Sequence, residues 1–583
     1  MTPPENPAEL VGTITPMGLM VDLDLLIARL GGRKTLAAFL RKLTVVETPQ
    51  PGRPKSFARK KRTGFRYVGR RLCLPRVKAP VLFGRVLGRL ATEPMARPRE
   101  VPPDRWWLKV PFYVYQEAAA EYVCRPLGPL GPGGGGSAYV EMGTGMGKSR
   151  FAMAVAARCA GPVFVVVPTK IIRVQWLEEF AEVFPHLRCG SYVNPPKNSK
   201  KIPPGPDTHD VVVGIVNTVR VKKPGFFQGY SLVVLDEAHE FHSPKNIQVL
   251  WLAQGAPRVL GLSATPGDRI DGLDRVVYHF LGKPIRAKDD IPDFDISDVS
   301  FRGRVREVEY KGDPDFCETM LTAAGTPCAI GTIGNIVGDP ARLRLAAAEV
   351  ERLLRLHETE PPESLREMGL GPRPEEDATE KHPEGEVRRH GVFVFAELRD
   401  YLPALRDAIL ERVPPQELFV PELGDAKRDP SDPVVLRGGS TEGDLGDARS
   451  ARVVLTTYGY SRRGVSLTDM TAMLLATPRR NGLRQILGRI TRRGSDESII
   501  RTIVDLKDVR TSLKSQSTTR RKVYKEKEYP IARVKVKFED CSPGVPYTAP
   551  GTSDEAFVWE PDAPGAEGDD EDAPVDPLRV FGD

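Results

Sequence analysis

The chain has 583 residues, with 84 Lys and Arg against 77 Asp and Glu, so its formal net charge at pH 7 is +7. This length exceeds what one hydrophobic core can organise and predicts two to four domains, and the absence of any run of about 18 consecutive apolar residues excludes a membrane-spanning helix. Seven cysteines without a CxxC pair, and a start that does not resemble a secretory signal, predict an intracellular protein with reduced thiols and no structural metal.

Residues 1–100 are basic, and we expect them to form a small accessory module. Between residues 53 and 78, Lys and Arg alternate with Phe57, Phe65 and Tyr67. Such a run can bind phosphates through its cations and stack bases on its rings. A solvated loop or a nuclear-import patch explains the same pattern equally well, so DNA binding by this module is one of two open interpretations.

Two later parts of the chain alternate short β-branched runs with helical stretches. This alternation predicts an α/β fold with parallel sheets and crossover helices. The predicted strands lie at 138–141, 163–167, 210–215, 231–235 and 258–262, and then at 391–395, 433–436, 452–456, 472–475 and 500–504. We therefore predict two parallel-sheet domains in tandem, at 101–290 and 291–510.

Three segments do not have the periodicity of packed elements. Residues 128–137 form a Gly-rich loop, and residues 356–390 read as a polar insertion in the second domain. In the extension 511–583, the part from Ser553 onward has eleven acidic residues and one basic residue. We predict a disordered acidic tail there, which is more typical of solubilising or docking elements than of catalysis.

A glycine-rich segment, EMGTGMGKS, follows the first predicted strand and precedes a helical stretch. Its glycines allow backbone N–H groups to face a phosphate, Lys148 would reach the β- and γ-phosphates, and Ser149 would bind Mg²⁺. The strict P-loop pattern has Gly where this chain has Met142, but the strand–loop–helix context supports a nucleotide site. Its candidate residues are Gly143, Thr144, Gly145, Gly147, Lys148 and Ser149.

An apolar run, LVVLDEAH, ends in two adjacent acids. Asp236 is expected at the carboxyl edge of a strand, where it would hold Mg²⁺, and Glu237 is suited to act as the general base that activates water. Together with the glycine-rich loop, this pair predicts binding and hydrolysis of ATP with Mg²⁺ as cofactor.

The motifs, in this order, resemble those of the superfamily 2 helicases of the DEAH-box type. PTKIIRVQW is similar to motif Ia, LGLSATPGDRIDGL to motif III and QILGRITR to motif VI, and Tyr115-Gln116 resembles the adenine-recognition segment. The resemblance spans residues 113–493. It implies two RecA-like domains, with ATP between them and a nucleic-acid strand across both.

The resemblance also implies roles for single residues. Arg489 and Arg492, three apart on a helix, would stabilise the γ-phosphoryl charge, and Gln485 would contact the same phosphate or the attacking water; taken alone, such an arginine pair is more often a solvated helix face. The residues that would couple hydrolysis to domain movement are His239, Ser263 and Thr265, although simple turn capping also explains the last two. The implied nucleic-acid contacts are Thr169, Lys170, Arg173, Thr218, Thr456 and Thr457.

The style of motif III and the basic front module are most similar to DNA-directed members of the superfamily: XPB-like repair helicases, phage DNA helicases and the poxvirus-type transcript-release helicase. The expected function is therefore an ATP-dependent DNA helicase or translocase in the cytoplasm or nucleus of a host cell, or in a virion if the chain is viral. The alternatives are a transcript-release or remodelling ATPase that acts with a polymerase, and a non-catalytic nucleic-acid clamp. Expected partners are nucleic acid, DNA first, and a polymerase or a repair or transcription complex, with no membrane.

Overall fold

The computed structural model describes residues 12–48, 59–77, 84–87, 90–94, 96–132, 135–195, 202–267, 269, 271–292, 294, 301–323, 325–356, 390–414, 434–437, 440, 442–461, 467, 469–491, 495 and 499–549. The predicted insertion (except its two end residues), the acidic tail from Ser553 and Arg492 lie outside these residues. Within them, no helix has both the length and the apolar character needed to cross a membrane.

The N-terminal part of the described chain forms a small sheet with two helices packed on it. Its strands are β1 (Gly12–Thr15), β2 (Gly18–Asp22), β5 (Arg66–Val68), β6 (Arg71–Leu74) and β7 (Leu90–Thr92), in the order β5-β6-β2-β1-β7. Strands β3 (Thr44–Val46) and β4 (Lys61–Thr63) form a separate antiparallel pair. Helices α1 (Leu23–Arg29) and α2 (Arg33–Lys42) contribute Leu26, Leu36 and Leu40 to the core of this module.

The first of two large sheets has seven parallel strands in the order β10-β11-β9-β12-β13-β8-β14. The strands are β8 (Ser137–Glu141), β9 (Val163–Val167), β10 (Cys189–Tyr192), β11 (Val211–Ile215), β12 (Leu232–Leu235), β13 (Val259–Ser263) and β14 (Pro284–Arg286). Its helices are α3 (Val114–Cys124), α4 (Lys148–Cys159), α5 (Lys170–Val183), α6 (Val216–Val219), α7 (Ile247–Ala253), α8 (Tyr278–Leu281) and α9 (Ala287–Asp290). Its central strands are valine-rich because helices cover both faces of the sheet.

The second large sheet repeats this architecture, with parallel strands in the order β17-β18-β16-β19-β20-β15-β21. The strands are β15 (Gly303–Lys311), β16 (Gly391–Ala396), β17 (Val434–Leu436), β18 (Val453–Thr457), β19 (Met470–Leu475), β20 (Arg501–Asp508) and β21 (Ile531–Lys537). Its helices are α10 (Ala329–Ile336), α11 (Pro340–Arg355), α12 (Tyr401–Leu410), α13 (Glu442–Ser450), α14 (Tyr458–Ser461), α15 (Leu483–Leu487) and α16 (Gln516–Glu526).

The predicted α/β fold with two tandem RecA-like parallel-sheet domains is confirmed, and every predicted strand overlaps an observed one. The prediction did not include β10, β14, β15 and β21. The second sheet also extends beyond residue 510, the limit expected from the sequence, because β21 pairs in parallel with β15. We propose that the second domain continues at least to the end of this strand.

The two large sheets meet at the carboxyl edge of the first one. Thr144, in the loop after β8, donates its hydroxyl hydrogen bond to the carbonyl oxygen of Arg484 on α15 over 3.2 Å. On the same helix, Gln485 Nε2 donates to Thr265 Oγ1, after β13, over 2.7 Å. Parallel strands end at a common edge, so the loops after β8, β12 and β13 line one cleft between the sheets.

Candidate active site

The loop between β8 and α4 has the backbone shape of a phosphate cradle. Gly145 and Gly147 have φ angles of +85° and +68°, a region that favours glycine. A Cβ at Gly145 would overlap the carbonyl oxygen of Thr491, and a Cβ at Gly147 would overlap the side-chain amide of Gln116. Helix α4 begins immediately afterwards, at Lys148, so the N–H groups of its first turn point toward the loop. The loop therefore fits a bound phosphate chain.

Tyr115 and Gln116, which resemble an adenine-recognition pair, lie buried on α3 and support this loop from behind. The Tyr115 hydroxyl and Gln116 Nε2 each donate to the carbonyl oxygen of Met146 over 3.2 Å. Gln116 Oε1 accepts the backbone N–H of Tyr113 over 3.1 Å. The Tyr113 ring, which is 44% exposed, stacks on Tyr115. Contact of this pair with adenine remains a prediction, whereas its contact with the loop is direct.

The acidic pair lies at the end of β12, beside the cradle. Asp236 is buried, and its two carboxylate oxygens accept the indole N–H of Trp176 and the backbone N–H of Glu237, each over 2.9 Å. Burial, aided by the Glu237 carboxylate, raises the pKa of Asp236 to about 6, against the opposing effects of Trp176 and Lys148. The opposing effect of Lys148, the first residue of α4, is consistent with the loop and the acid lying in one region.

Glu237 has an unusual backbone for a residue with a side chain, with φ at +50°. Residues held in this left-handed region cost free energy and are concentrated at functional sites. One of its carboxylate oxygens, Oε2, is buried without a hydrogen-bond partner among the described residues and lies 3.3 Å from His239 Nδ1. An acceptor oxygen held in this way is suited to receive a proton from water.

A chain of contacts runs from Glu237 across the cleft to the second sheet. His239 Nδ1 lies 2.9 Å from Ser263 Oγ, which accepts the backbone N–H of Thr265 over 3.1 Å. Thr265 in turn accepts the hydrogen bond from Gln485. The three residues expected to couple hydrolysis to movement are therefore consecutive members of one network.

Arg489 faces the acidic pair from the second sheet. It is buried, and its pKa is lowered by burial while Glu237 and Asp236 oppose that effect. We expected Arg489 on a helical face, but this expectation is wrong, because α15 ends at Leu487 and Arg489 lies in the turn that follows. A Cβ at Gly488, in this same turn, would overlap Thr144, so the turn approaches the cradle closely.

The expected nucleic-acid residues lie at the carboxyl ends of strands in both sheets. Thr169 caps α5 by accepting the N–H of Ile172, and Lys170 beside it is exposed. Arg173 and Thr218, on α5 and α6, are half-buried. At the end of β18, Thr456 is buried and Thr457 is half-buried. The structure therefore leaves Lys170 more accessible to a strand than Thr456.

Two residues that the sequence interpretation did not assign also belong to this region. Trp176 lies within the motif Ia segment, but its bond to Asp236 joins two elements and had no signal in the local pattern. Arg449 on α13 forms an ion pair of 2.7 Å with Glu178 on α5, which joins the two sheets beside the nucleic-acid residues.

The chain is similar to several known proteins. Residues 109–268 match the family described as "Type III restriction enzyme, res subunit". The chain is 37% identical over 525 residues to "Putative ATP-dependent RNA helicase QP509L" of African swine fever virus (isolate Pig/Kenya/KEN-50/1950), which covers 90% of this chain and 91% of that protein. It is also 30% identical over 142 residues to "Putative helicase 109L" of Invertebrate iridescent virus 3, covering 24% and 42% of the two chains.

Solved structures with a similar chain course include S. cerevisiae Dbp5 bound to RNA and ADP BeF3, with 12% identity, 73% of this chain and 90% of that chain covered, and a TM-score of 0.45. T4 UvsW matches with 13% identity, 87% and 96% coverage and a TM-score of 0.31. The viral relative QP509L is similar over nine tenths of both chains. The chain therefore belongs to the superfamily 2 helicases and is a helicase-type ATPase.

Proposed function

We propose that the chain is an ATP-driven motor that moves along one nucleic-acid strand and displaces the strand paired to it. The observation that carries this proposal is the 2.7 Å hydrogen bond between Gln485 and Thr265. It joins the second sheet to the network that begins at Glu237, so a change at the γ-phosphate would change how the two sheets meet.

In the proposed site, the loop around Gly145 and the first turn of α4 bind the phosphates of ATP, and Lys148 neutralises part of their charge. Mg²⁺, held by Ser149 and Asp236, would neutralise charge on the phosphate oxygens. Glu237 accepts the proton of the attacking water. Arg489, buried opposite the acids, stabilises the charge of the transferring phosphoryl group.

Movement follows from the position of the strand contacts. Thr169 and Lys170 would hold the sugar–phosphate backbone on the first sheet and Thr457 on the second, so each closing and opening of the cleft would change the distance between them. Contacts of this kind do not read bases, which suits a motor that steps along any sequence.

We propose DNA as the preferred strand, supported by the resemblance of motif III and the basic front module to DNA-directed members. RNA is the second candidate, because the African swine fever virus relative is named an RNA helicase. The transcript-release alternative depends on docking by the 356–390 insertion or the acidic tail, nearly all of which lies outside the described residues. The viral source of the relatives also supports action in an infected cell or a virion.

Strand displacement tests the proposal. Duplexes of DNA, RNA and DNA–RNA hybrid, each with a 3′ or 5′ single-stranded tail, are incubated with the intact protein and ATP. We expect displacement of at least one tailed duplex, fastest with DNA, and none with Glu237→Gln. If no tailed duplex is displaced, the proposal that the chain is a motor is contradicted. If only RNA duplexes are displaced, RNA rather than DNA is the substrate.

A further inference from the structure

The N-terminal module is strongly basic where it is exposed. Between residues 12 and 92, the described residues include fourteen basic side chains and three acidic ones. Three of the exposed basic residues are consecutive in the chain where β4 begins: Arg59, Lys60 and Lys61. We call these three residues the basic face. Like charges at this density attract a polyanion.

The β3–β4 pair that carries the basic face is rigidly built. The backbone N–H of Glu47 donates to the carbonyl oxygen of Lys60 over 2.8 Å, and the buried Glu47 carboxylate accepts the backbone N–H of Lys60 over 2.9 Å. At the other end, the N–H of Gly64 donates to the carbonyl oxygen of Leu43 over 2.7 Å. Ligand binding at Lys60 and Lys61 would therefore move the pair as a unit.

The same pair is hydrogen-bonded to two turns near the active site, one after Glu237 and one after Thr265. Arg62 Nε donates to the carbonyl oxygen of His242 over 3.0 Å, and His242 Nδ1 lies 2.8 Å from the carbonyl oxygen of His239. The N–H of Thr48 donates to the carbonyl oxygen of Asp271 over 3.0 Å, in a turn at the end of the motif III segment. The pair thus holds both the turn after Glu237 and the turn after Thr265.

The module is also packed tightly on the first large sheet. The Arg66 guanidinium lies 4.4 Å from the centre of the Trp251 ring on α7. A Cβ at Gly64 would overlap His279 on α8. The contact between the β3–β4 pair and the active-site turns is therefore part of a continuous interface.

We propose that the basic face is a second binding site for the phosphate backbone of nucleic acid, and that the β3–β4 pair transmits its occupation to the ATP site through His242 and Asp271. This inference rests on the proposed function, because the effect that is transmitted is a change in the rate of ATP hydrolysis. It adds a nucleic-acid site outside both parallel-sheet domains and a physical path from it to Glu237.

Binding is tested first, with the double variant Lys60→Gln/Lys61→Gln of the full chain and a fluorescent single strand or duplex. We expect weaker binding and a shallower salt dependence, because each lost phosphate contact reduces the slope of log K against log salt by about 0.7 to 0.9. Lys311→Gln/Lys535→Gln, which changes two exposed lysines on neighbouring strands of the second sheet, is the matched control and should bind as the wild type does. A wild-type affinity and slope in Lys60→Gln/Lys61→Gln would overturn the proposed site.

Transmission is tested with Arg62→Lys, which keeps the charge but removes the Nε donor to His242. We expect affinity for nucleic acid within about twofold of wild type, and a several-fold loss of ATPase stimulation at saturating nucleic acid. Full stimulation in this variant would overturn the transmission path. If the wild type itself shows no stimulation, the proposed function fails instead, and the salt-slope measurement still decides whether the basic face binds.

Discussion

Asp210, at the amino end of β11, is a single residue that holds neighbouring segments of the chain on the first sheet. Its carboxylate is buried and accepts hydrogen bonds from Arg99, Arg105 and Arg188 over distances of 2.6 to 3.3 Å. Burial alone would raise the pKa of Asp210, but the bonds from Arg188, Arg99 and Arg105 outweigh it and hold the pKa well below its ordinary value of 3.8. The segment before α3 is attached to the sheet through this acid.

The sign of the shift predicts the pH dependence of Asp210→Asn. A depressed carboxyl pKa contributes stability that is complete above the ordinary value of 3.8 and is lost as pH falls through the lower folded value. We expect the variant to lose about 3–5 kcal/mol of unfolding free energy at pH 7, because the three arginines lose the negative charge of their partner and one of its two acceptor oxygens. The difference from wild type, measured by urea unfolding, should shrink below about pH 4. A difference that grows as the pH falls would contradict this account.

At the scale of elements, strand β15 explains where prediction from the sequence ended. Strands β9 and β12 are continuous apolar runs, and such runs identify a buried parallel strand directly. Strand β15, GRVREVEYK, is also buried, but its charged residues interrupt the apolar pattern. The sequence alone therefore did not identify it as a strand. Arg306 lies 3.0 Å from Glu349 on α11, and Glu307 pairs with Arg521 on α16. Pairings between distant elements do not appear in a local pattern.

The same limit applies to the site. The glycines of the phosphate cradle are visible in the sequence because a local backbone shape requires them. The bond from Trp176 to Asp236 and the one from Arg62 to His242 join separate elements, so only the fold reveals them. The helical position expected for Arg489 was wrong because the helix ends before Gly488.

The buried ion pair between Arg306 on β15 and Glu349 on α11 is predicted to stabilise the second sheet. Glu349→Ala removes the buried carboxylate that pairs with both Arg306 and Arg352, and it is expected to reduce the unfolding free energy by about 3–5 kcal/mol. The exposed pair of Arg406 and Asp407 provides the control, since Asp407→Ala should change the same quantity by less than about 1 kcal/mol. If chemical denaturation shows the same loss of unfolding free energy in both variants, burial of the β15 pair adds nothing to stability.

At the scale of the whole molecule, one of the contacts between the two sheets requires a small residue. Gly488 lies against Thr144, with a backbone that alanine can also adopt, at φ −59°. Gly488→Ala should therefore fold normally but hold the cleft open, with a loss of ATPase activity of about tenfold or more. Adding Thr144→Gly removes both the Cβ and the hydroxyl that the new methyl group would overlap, and it should restore part of the activity, as measured by steady-state ATP hydrolysis. No rescue, or no loss in the single variant, would contradict a working contact at this point.

The central claim is that ATP hydrolysis at the cleft is coupled to a nucleic-acid strand lying across both sheets. The most direct measurement is the steady-state rate of ATP hydrolysis by the intact chain, with and without single-stranded DNA or RNA. We predict that the rate rises several-fold with nucleic acid and disappears in Lys148→Ala and Glu237→Gln, by about 10²-fold or more in the latter. Equal rates of hydrolysis with and without every nucleic acid would contradict the coupling.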